Sequence, residues 1–224
     1  MGKTTQNNSL EFSLLILAVI ISLIFFDSKF LFPIKIFIII FHEINHVFAG
    51  IISGGEPKYL TFDLNLAGKT LIEGGSQIFI ASAGYLGSIV IGSLLFVSSF
   101  SNRFRKWYLN ILAIIIFLTT VNLVKGELQI IIGLLVSVTL FLISKYLPEN
   151  ILKFFLQYVG LISCLYVITD IKEDLLIKNI RVTDTQILEY LTGVSAQIWG
   201  IIWLFIALGV FGFLLKFYFC KIKN

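Results

Sequence analysis

The 224-residue chain is 58% apolar and 13% charged, contains 22 Phe, and has a mean hydropathy of +0.96. Soluble globular chains carry about 25% charged residues, and apolar runs of about 20 residues are typical of membrane spans. Two Cys exclude a disulfide-rich secreted scaffold. The net charge of +4 is scattered over short segments between apolar runs, so we expect no nucleic-acid partner. The composition predicts an integral membrane protein surrounded by the lipid bilayer.

Apolar stretches long enough to cross a hydrocarbon core of about 30 Å recur along the chain. We therefore predict an all-α polytopic membrane protein of about seven transmembrane helices, forming a single domain over residues 1–224. The abundance of Ile, Phe, Lys and Asn favours a bacterial cell membrane. The predicted spans are residues 10–26, 32–52, 77–100, 107–124, 128–146, 151–169 and 197–219.

Two connections between these spans are longer than a simple helical turn needs. Residues 54–76 begin and end with glycine pairs, and residues 59–66 alternate between apolar and polar. A turn at 67–69 and a second strand at 70–72 complete a predicted short β-hairpin. The charged loop at about 171–196 is predicted to contain a surface helix that begins at Thr183 or Asp184, since both residue types cap helices well.

The second predicted span contains an H-E-x-x-H motif, with His42, Glu43 and His46 as its defining residues. Positions i and i+4 of a helix lie on one face, so both imidazoles can reach a single metal ion. Zinc lowers the pKa of a bound water to around 7, and a carboxylate beside it can take the proton. The motif therefore predicts two zinc ligands, His42 and His46, and a catalytic base, Glu43.

A catalytic zinc ion commonly has three protein ligands, and this chain has no third His. The third ligand is therefore expected to be a carboxylate, with a Cys thiol as the weaker alternative. Asp170 is the preferred candidate because it ends the sixth predicted span, at the edge of the bilayer. Asp174 and Asp184 are the alternatives, although either could also be a solvated loop residue or part of a helix cap.

For these residues, the alternative to metal binding is a structural role. The two His and the Glu could form a structural cluster, but a charged side chain at mid-span costs at least about 2.5–3.5 kcal/mol and usually has a function. The small residues around Gly84 in the third span could lie against the metal-binding helix, or could serve helix packing alone.

The sequence resembles the site-2-protease-like zinc metallopeptidases, and most closely their compact peptidase M50B-like branch. Three blocks carry the resemblance: the H-E-x-x-H motif with the glycines that follow it, the segment 74–88, and the segment 170–203 with Asp170, Asp174 and Val182-Thr183-Asp184. The chain lacks the Asn-Pro and Leu-Asp-Gly signature of the larger members.

The resemblance implies an intramembrane zinc endopeptidase that cleaves a transmembrane protein substrate. It also implies that a β-hairpin borders the active site, that His42 and His46 are ligands, that Glu43 is the base, and that Asp170 is the carboxylate ligand. The alternative function is a non-catalytic metal-binding membrane scaffold or transporter-like protein of the same fold.

Overall fold

A computed structural model describes residues 2–26, 28–176 and 182–223, with side chains placed for residues 10–26, 28–166, 168 and 182–221. The chain is mainly helical, with one hairpin and a short 3-10 turn at Lys29–Leu31. In chain order the elements are α1 (Gly2–Ile24), α2 (Phe32–Ile52), β1 (Glu56–Phe62), β2 (Gly68–Glu73), α3 (Gln77–Ser98), α4 (Asn102–Leu123), α5 (Glu127–Tyr146), α6 (Glu149–Leu176), α7 (Asp184–Thr192) and α8 (Ala196–Lys223).

Within the described part of the chain, five helices are long and apolar enough to cross a membrane: α2 with the 3-10 turn before it, α3, α4, α5 and α8. The seven predicted spans are therefore not confirmed. The apolar part of α1 is the shorter segment Leu10–Ile24, and a span needs about 20 residues. The predicted span at 151–169 lies in α6, whose side chains are described only in part, and α6 is not among the five helices found within the described residues.

The helices differ in how far they are enclosed by protein. Within its most apolar stretch, 72% of the α2 span is buried, compared with 22% for α5 and 22% for α8. Gly92 of α3 and Gly160 of α6 allow those two helices to pack closely, because a Cβ added at either glycine would lie 2.6 Å from the other's carbonyl oxygen. The H-E-x-x-H motif thus lies on the most enclosed of the five spanning helices.

The predicted hairpin is confirmed, but its turn lies earlier than expected. Strands β1 and β2 are antiparallel, with Leu60 opposite Thr70 and Phe62 opposite Gly68. The turn occupies residues 63–67, where Asp63 N–H donates to Ala67 O over 2.7 Å and Leu66 takes a positive φ of 64°. The first strand was predicted to continue to residue 66 but ends at Phe62, because Asp63 and Asn65 favour a turn.

The two edges of the hairpin differ. On the β1 side, Lys125 N–H donates to Leu60 O over 2.9 Å, and Val124 forms a parallel bridge with Leu60. The β2 side has no such strand neighbour among the described residues, since the sheet consists of β1 and β2. The buried side chains of Leu60 and Phe62, each 1% exposed, hold the inner face of the hairpin in the core.

Candidate metal centre and proteolytic site

The two His of the motif face the same point from successive turns of α2. Their ring centroids are 4.8 Å apart, and the rings are inclined by 77°. His46 is buried at 6% exposure, and His42 is half-buried. The i, i+4 spacing thus produces the common face that the sequence predicted.

Asp184 completes this group from a different part of the chain. Its Oδ2 lies 3.1 Å from His42 Nε2 and 3.2 Å from His46 Nε2. When no metal is bound and His46 is protonated, burial raises the pKa of the Asp184 carboxyl, but attraction to His46 and hydrogen bonds from both imidazoles outweigh it and hold that pKa below its usual range. The three side chains offer one ligand atom each, all within 4.8 Å of one another.

The position of Asp184 is fixed by the start of α7. Thr183 caps this helix: its hydroxyl accepts from Gln186 N–H at 3.4 Å, and its own N–H donates to Gln186 Oε1 at 3.2 Å. This capping box makes Asp184 the first residue of the helix. The predicted surface helix is therefore present, and it presents an acidic side chain to α2.

The preferred third ligand, Asp170, is not tested by these contacts. Asp170 and Asp174 belong to the last turns of α6, and their side chains fall outside the described residues. Asp184, the alternative from the same charged loop, is the carboxylate that the described residues place beside the imidazoles. The T-x-x-Q capping pattern locates the helix start, but it does not show that this start faces α2.

The second nitrogen of His46 is held by the backbone of α3. His46 Nδ1 lies 2.7 Å from Ile80 O, to which Nδ1–H donates. In the neutral imidazole, Nε2 is then the lone-pair nitrogen, and it faces Asp184. His42 packs edge-on against the Tyr85 ring at 5.4 Å. A backbone carbonyl behind a ligating His is the usual arrangement in metal sites, where it sets the tautomer and ring orientation.

Gly84 permits α3 to approach both imidazoles. A Cβ at this position would lie 2.7 Å from His46 Nε2 and closer still to the His42 ring. The small-residue face of α3 was expected either to lie against the metal-binding helix or to serve helix packing alone. Gly84 lies directly against the imidazoles, where a larger residue would displace them.

Glu43 lies next to the imidazoles and under the hairpin. Its side chain is 5% exposed, and Thr70 Oγ1 donates to its Oε2 over 2.6 Å. Thr70 was not predicted from the sequence. The sequence does not show that the hairpin folds back over α2, and only that fold brings the inner face of β2 to Glu43. A cavity of about 490 Å³ opens here, lined by the three clustered residues, Glu43, Thr70, and others from α3, α6 and α7.

The donor set fits zinc. A carboxylate oxygen at 3.2 Å from an imidazole lone pair is repulsive unless a proton or a cation lies between them. Two imidazole nitrogens and one carboxylate oxygen are a common zinc set that leaves a fourth position open for water or substrate. A cavity on the same side as the ligands provides room for both.

The sequence model of the family described as Peptidase M50B-like matches residues 15–214. The chain belongs to this family. The Peptidase M50B-like assignment and the five apolar helices make it an integral membrane protein, and at the family level they support an intramembrane metallopeptidase of the zinc-dependent M50 type. No curated protein and no solved structure matched the chain.

Proposed function

We propose that this Peptidase M50B-like chain is a zinc-dependent endopeptidase that cleaves a transmembrane protein substrate within the bilayer. The observation that carries the proposal is the convergence of His42, His46 and Asp184 at a cavity that Glu43 also lines. The helix that carries the H-E-x-x-H motif is enclosed by protein. Its polar side chains therefore face the interior of the helix bundle, where polar groups inside a membrane protein are tolerated.

The three clustered residues would hold the zinc ion, through Nε2 of His42, Nε2 of His46 and the carboxylate of Asp184. This assignment prefers Asp184 to Asp170, because Asp184 is in contact with both imidazoles. A bound zinc ion supplies Lewis-acid polarisation of a peptide carbonyl and of a water molecule.

Glu43 serves as the general base. Its Oε2 is engaged by Thr70, so Oε1 is the oxygen available to take a proton from water. The same oxygen can then give the proton to the amide nitrogen that leaves. The buried position of Glu43 keeps bulk solvent away from this exchange.

The outer edge of β2, which pairs with no other strand among the described residues, is the proposed binding site for the substrate backbone. The carbonyl of Leu60 accepts from Lys125 N–H and therefore points away from β2. Leu60 and Thr70 thus form a pair without hydrogen bonds between them, and the N–H and C=O of Thr70 point away from β1. Thr70 is one of the residues that line the cavity, where an unwound substrate segment could add as a third strand.

The test uses purified protein in detergent and a panel of synthetic single-span peptides with helix-weakening residues near one end. Wild-type protein should cleave members of the panel, and Glu43→Gln should retain zinc while losing at least about 100-fold in turnover. Full activity in Glu43→Gln, or no cleavage by wild-type protein, would contradict the proposal. Equal zinc content with no cleavage in either protein would favour the scaffold alternative.

Strand addition has its own test at a single residue. Thr70→Pro removes the edge N–H and the hydroxyl, whereas Thr70→Val removes the hydroxyl alone. If the edge N–H binds substrate, Thr70→Pro should raise KM by about 10-fold relative to Thr70→Val, as expected for the loss of one hydrogen bond. Equal KM values in the two variants would exclude this mode of binding at Thr70.

A further inference from the structure

The carboxylate of Glu43 is in contact with two residues of β2. Thr70 Oγ1 lies 2.6 Å from Oε2, and a Cβ added at Gly68 would lie 2.6 Å from Glu43 Cγ and closer still to the carboxylate. Gly68 does not have a positive φ. The absence of a side chain there therefore provides space for the carboxylate and does not meet a conformational need.

These two contacts come from one face of the hairpin. Thr70 and Gly68 are two residues apart, so their side-chain positions point the same way. Their cross-strand partners, Leu60 and Phe62, are each 1% exposed. The packing of these two β1 side chains in the core therefore sets the distance between β2 and Glu43.

The Thr70 hydroxyl is also within 3.4 Å of the Glu43 backbone carbonyl. A hydroxyl has one proton, and the shorter distance of 2.6 Å assigns that proton to the carboxylate. A buried carboxylate with a short hydroxyl donor is held in one rotamer, with one oxygen engaged and the other left for chemistry.

We propose that Thr70 is a positioning residue for the catalytic base, and that Gly68 provides the space in which that base is held. This proposal rests on the proposed function, because it concerns the orientation of Glu43 in the same reaction. It assigns to the hairpin a role in the chemical step, in addition to any role in binding substrate.

The kinetic test compares Thr70→Val with Thr70→Ser on the same peptide panel. Thr70→Val should lower kcat by about 10–100-fold, leave KM within about 2-fold, and leave zinc content unchanged, because the residue acts on the base. Thr70→Ser, which keeps the hydroxyl, should stay within about 3-fold of wild-type kcat. Thr61→Val is the matched control, since the Thr61 hydroxyl lies on β1, 3.3 Å from Lys125 O.

A second measurement needs neither zinc nor substrate. In metal-free protein, Thr70→Val should lower the unfolding midpoint by about 2–4 °C in the wild-type background. In a Glu43→Met background, which lacks the acceptor, the same change should have almost no effect. Equal shifts in the two backgrounds would show that the hydroxyl and the carboxylate are not coupled, and would overturn the proposal.

The outcomes separate the two proposals. If Glu43→Gln is inactive but Thr70→Val has wild-type kcat, the positioning role is wrong and the peptidase function stands. If Glu43→Gln is fully active, the peptidase mechanism is wrong, whatever the thermal cycle shows. A fall in kcat that Thr70→Ser does not restore would also overturn the positioning role.

Discussion

The two walls of the cavity are built differently. The helical wall, from α2 and α3, presents His42 and His46, with His46 tied to the backbone of Ile80. The hairpin wall, from β2, presents Thr70 and Gly68 to Glu43. One wall contains groups that bind a metal, and the other contains groups that act on the base, so substitutions in the two walls should separate metal content from turnover.

The largest effect is expected in the helical wall. His46→Ala should reduce bound zinc to near zero and abolish cleavage, because one of three ligands is lost. Zinc per protein is measured by elemental analysis of the purified protein. Asn45→Ala, the neighbouring residue on the same helix, is the control and should keep its zinc. Full zinc occupancy in His46→Ala would show that the imidazole is not a ligand.

The third ligand is decided by a matched pair. Replacing a residue that only supports a metal ligand typically weakens metal binding by about 10–100-fold. Asp184→Asn should weaken zinc binding by more than this, because it removes the charge of a ligand. Asp170→Asn should leave zinc affinity within about 3-fold if Asp184 is the ligand. Zinc titration with a competing chelator measures both variants, and the reverse ranking would restore Asp170 as the ligand.

A smaller effect in the helical wall is expected at Gly84. Gly84→Ala places a methyl group against both imidazoles, which should cost about 1–3 kcal/mol of stability and weaken zinc binding. The control is Gly209→Ala in α8, where a Cβ would meet no atom within 4 Å. Unfolding midpoints and zinc titrations are compared. Equal behaviour of the two variants would mean that the bundle absorbs the methyl group without moving the rings.

The smallest effect on metal content is expected in the hairpin wall. Gly68→Ala should lower kcat by about 10-fold or more, since the added methyl overlaps the Glu43 carboxylate, while zinc content stays at the wild-type level. Peptide cleavage and elemental analysis on the same preparation provide both values. Loss of zinc in Gly68→Ala would remove the distinction between the two walls.

The sequence predicted the features that depend on local spacing. His42, Glu43 and His46 are recognised because helical periodicity alone brings them together, and the hairpin because alternation and glycines mark it. Features that depend on how distant segments meet were predicted only as alternatives, as for Asp184 among three candidate carboxylates, or not at all, as for Thr70. Asp184 contacts α2 only because of where α7 begins, and Thr70 meets Glu43 only because β2 folds back over α2.

The number of membrane spans depends on a distinction that hydropathy does not make. Hydropathy measures the preference of a segment for an apolar environment, but the protein interior and the lipid both provide one. α6 is packed among other helices and carries Gln157 at 0% exposure, so its apolar residues report on protein contacts as much as on lipid. The sequence alone does not separate these two environments.

The hydroxyl of Thr70 donates to Glu43, while its backbone groups lie along the outer margin of β2, which has no strand neighbour in the part of the chain that the structure describes. An intact α-helix has its amides bonded internally and has no vacant donors or acceptors for that margin. A helix that is locally unwound has free N–H and C=O groups that can pair with this margin. For the proposed peptidase, this arrangement predicts that substrate helices are selected by the ease with which they fray, and that Thr70 links the binding of a frayed segment to the carboxylate of Glu43.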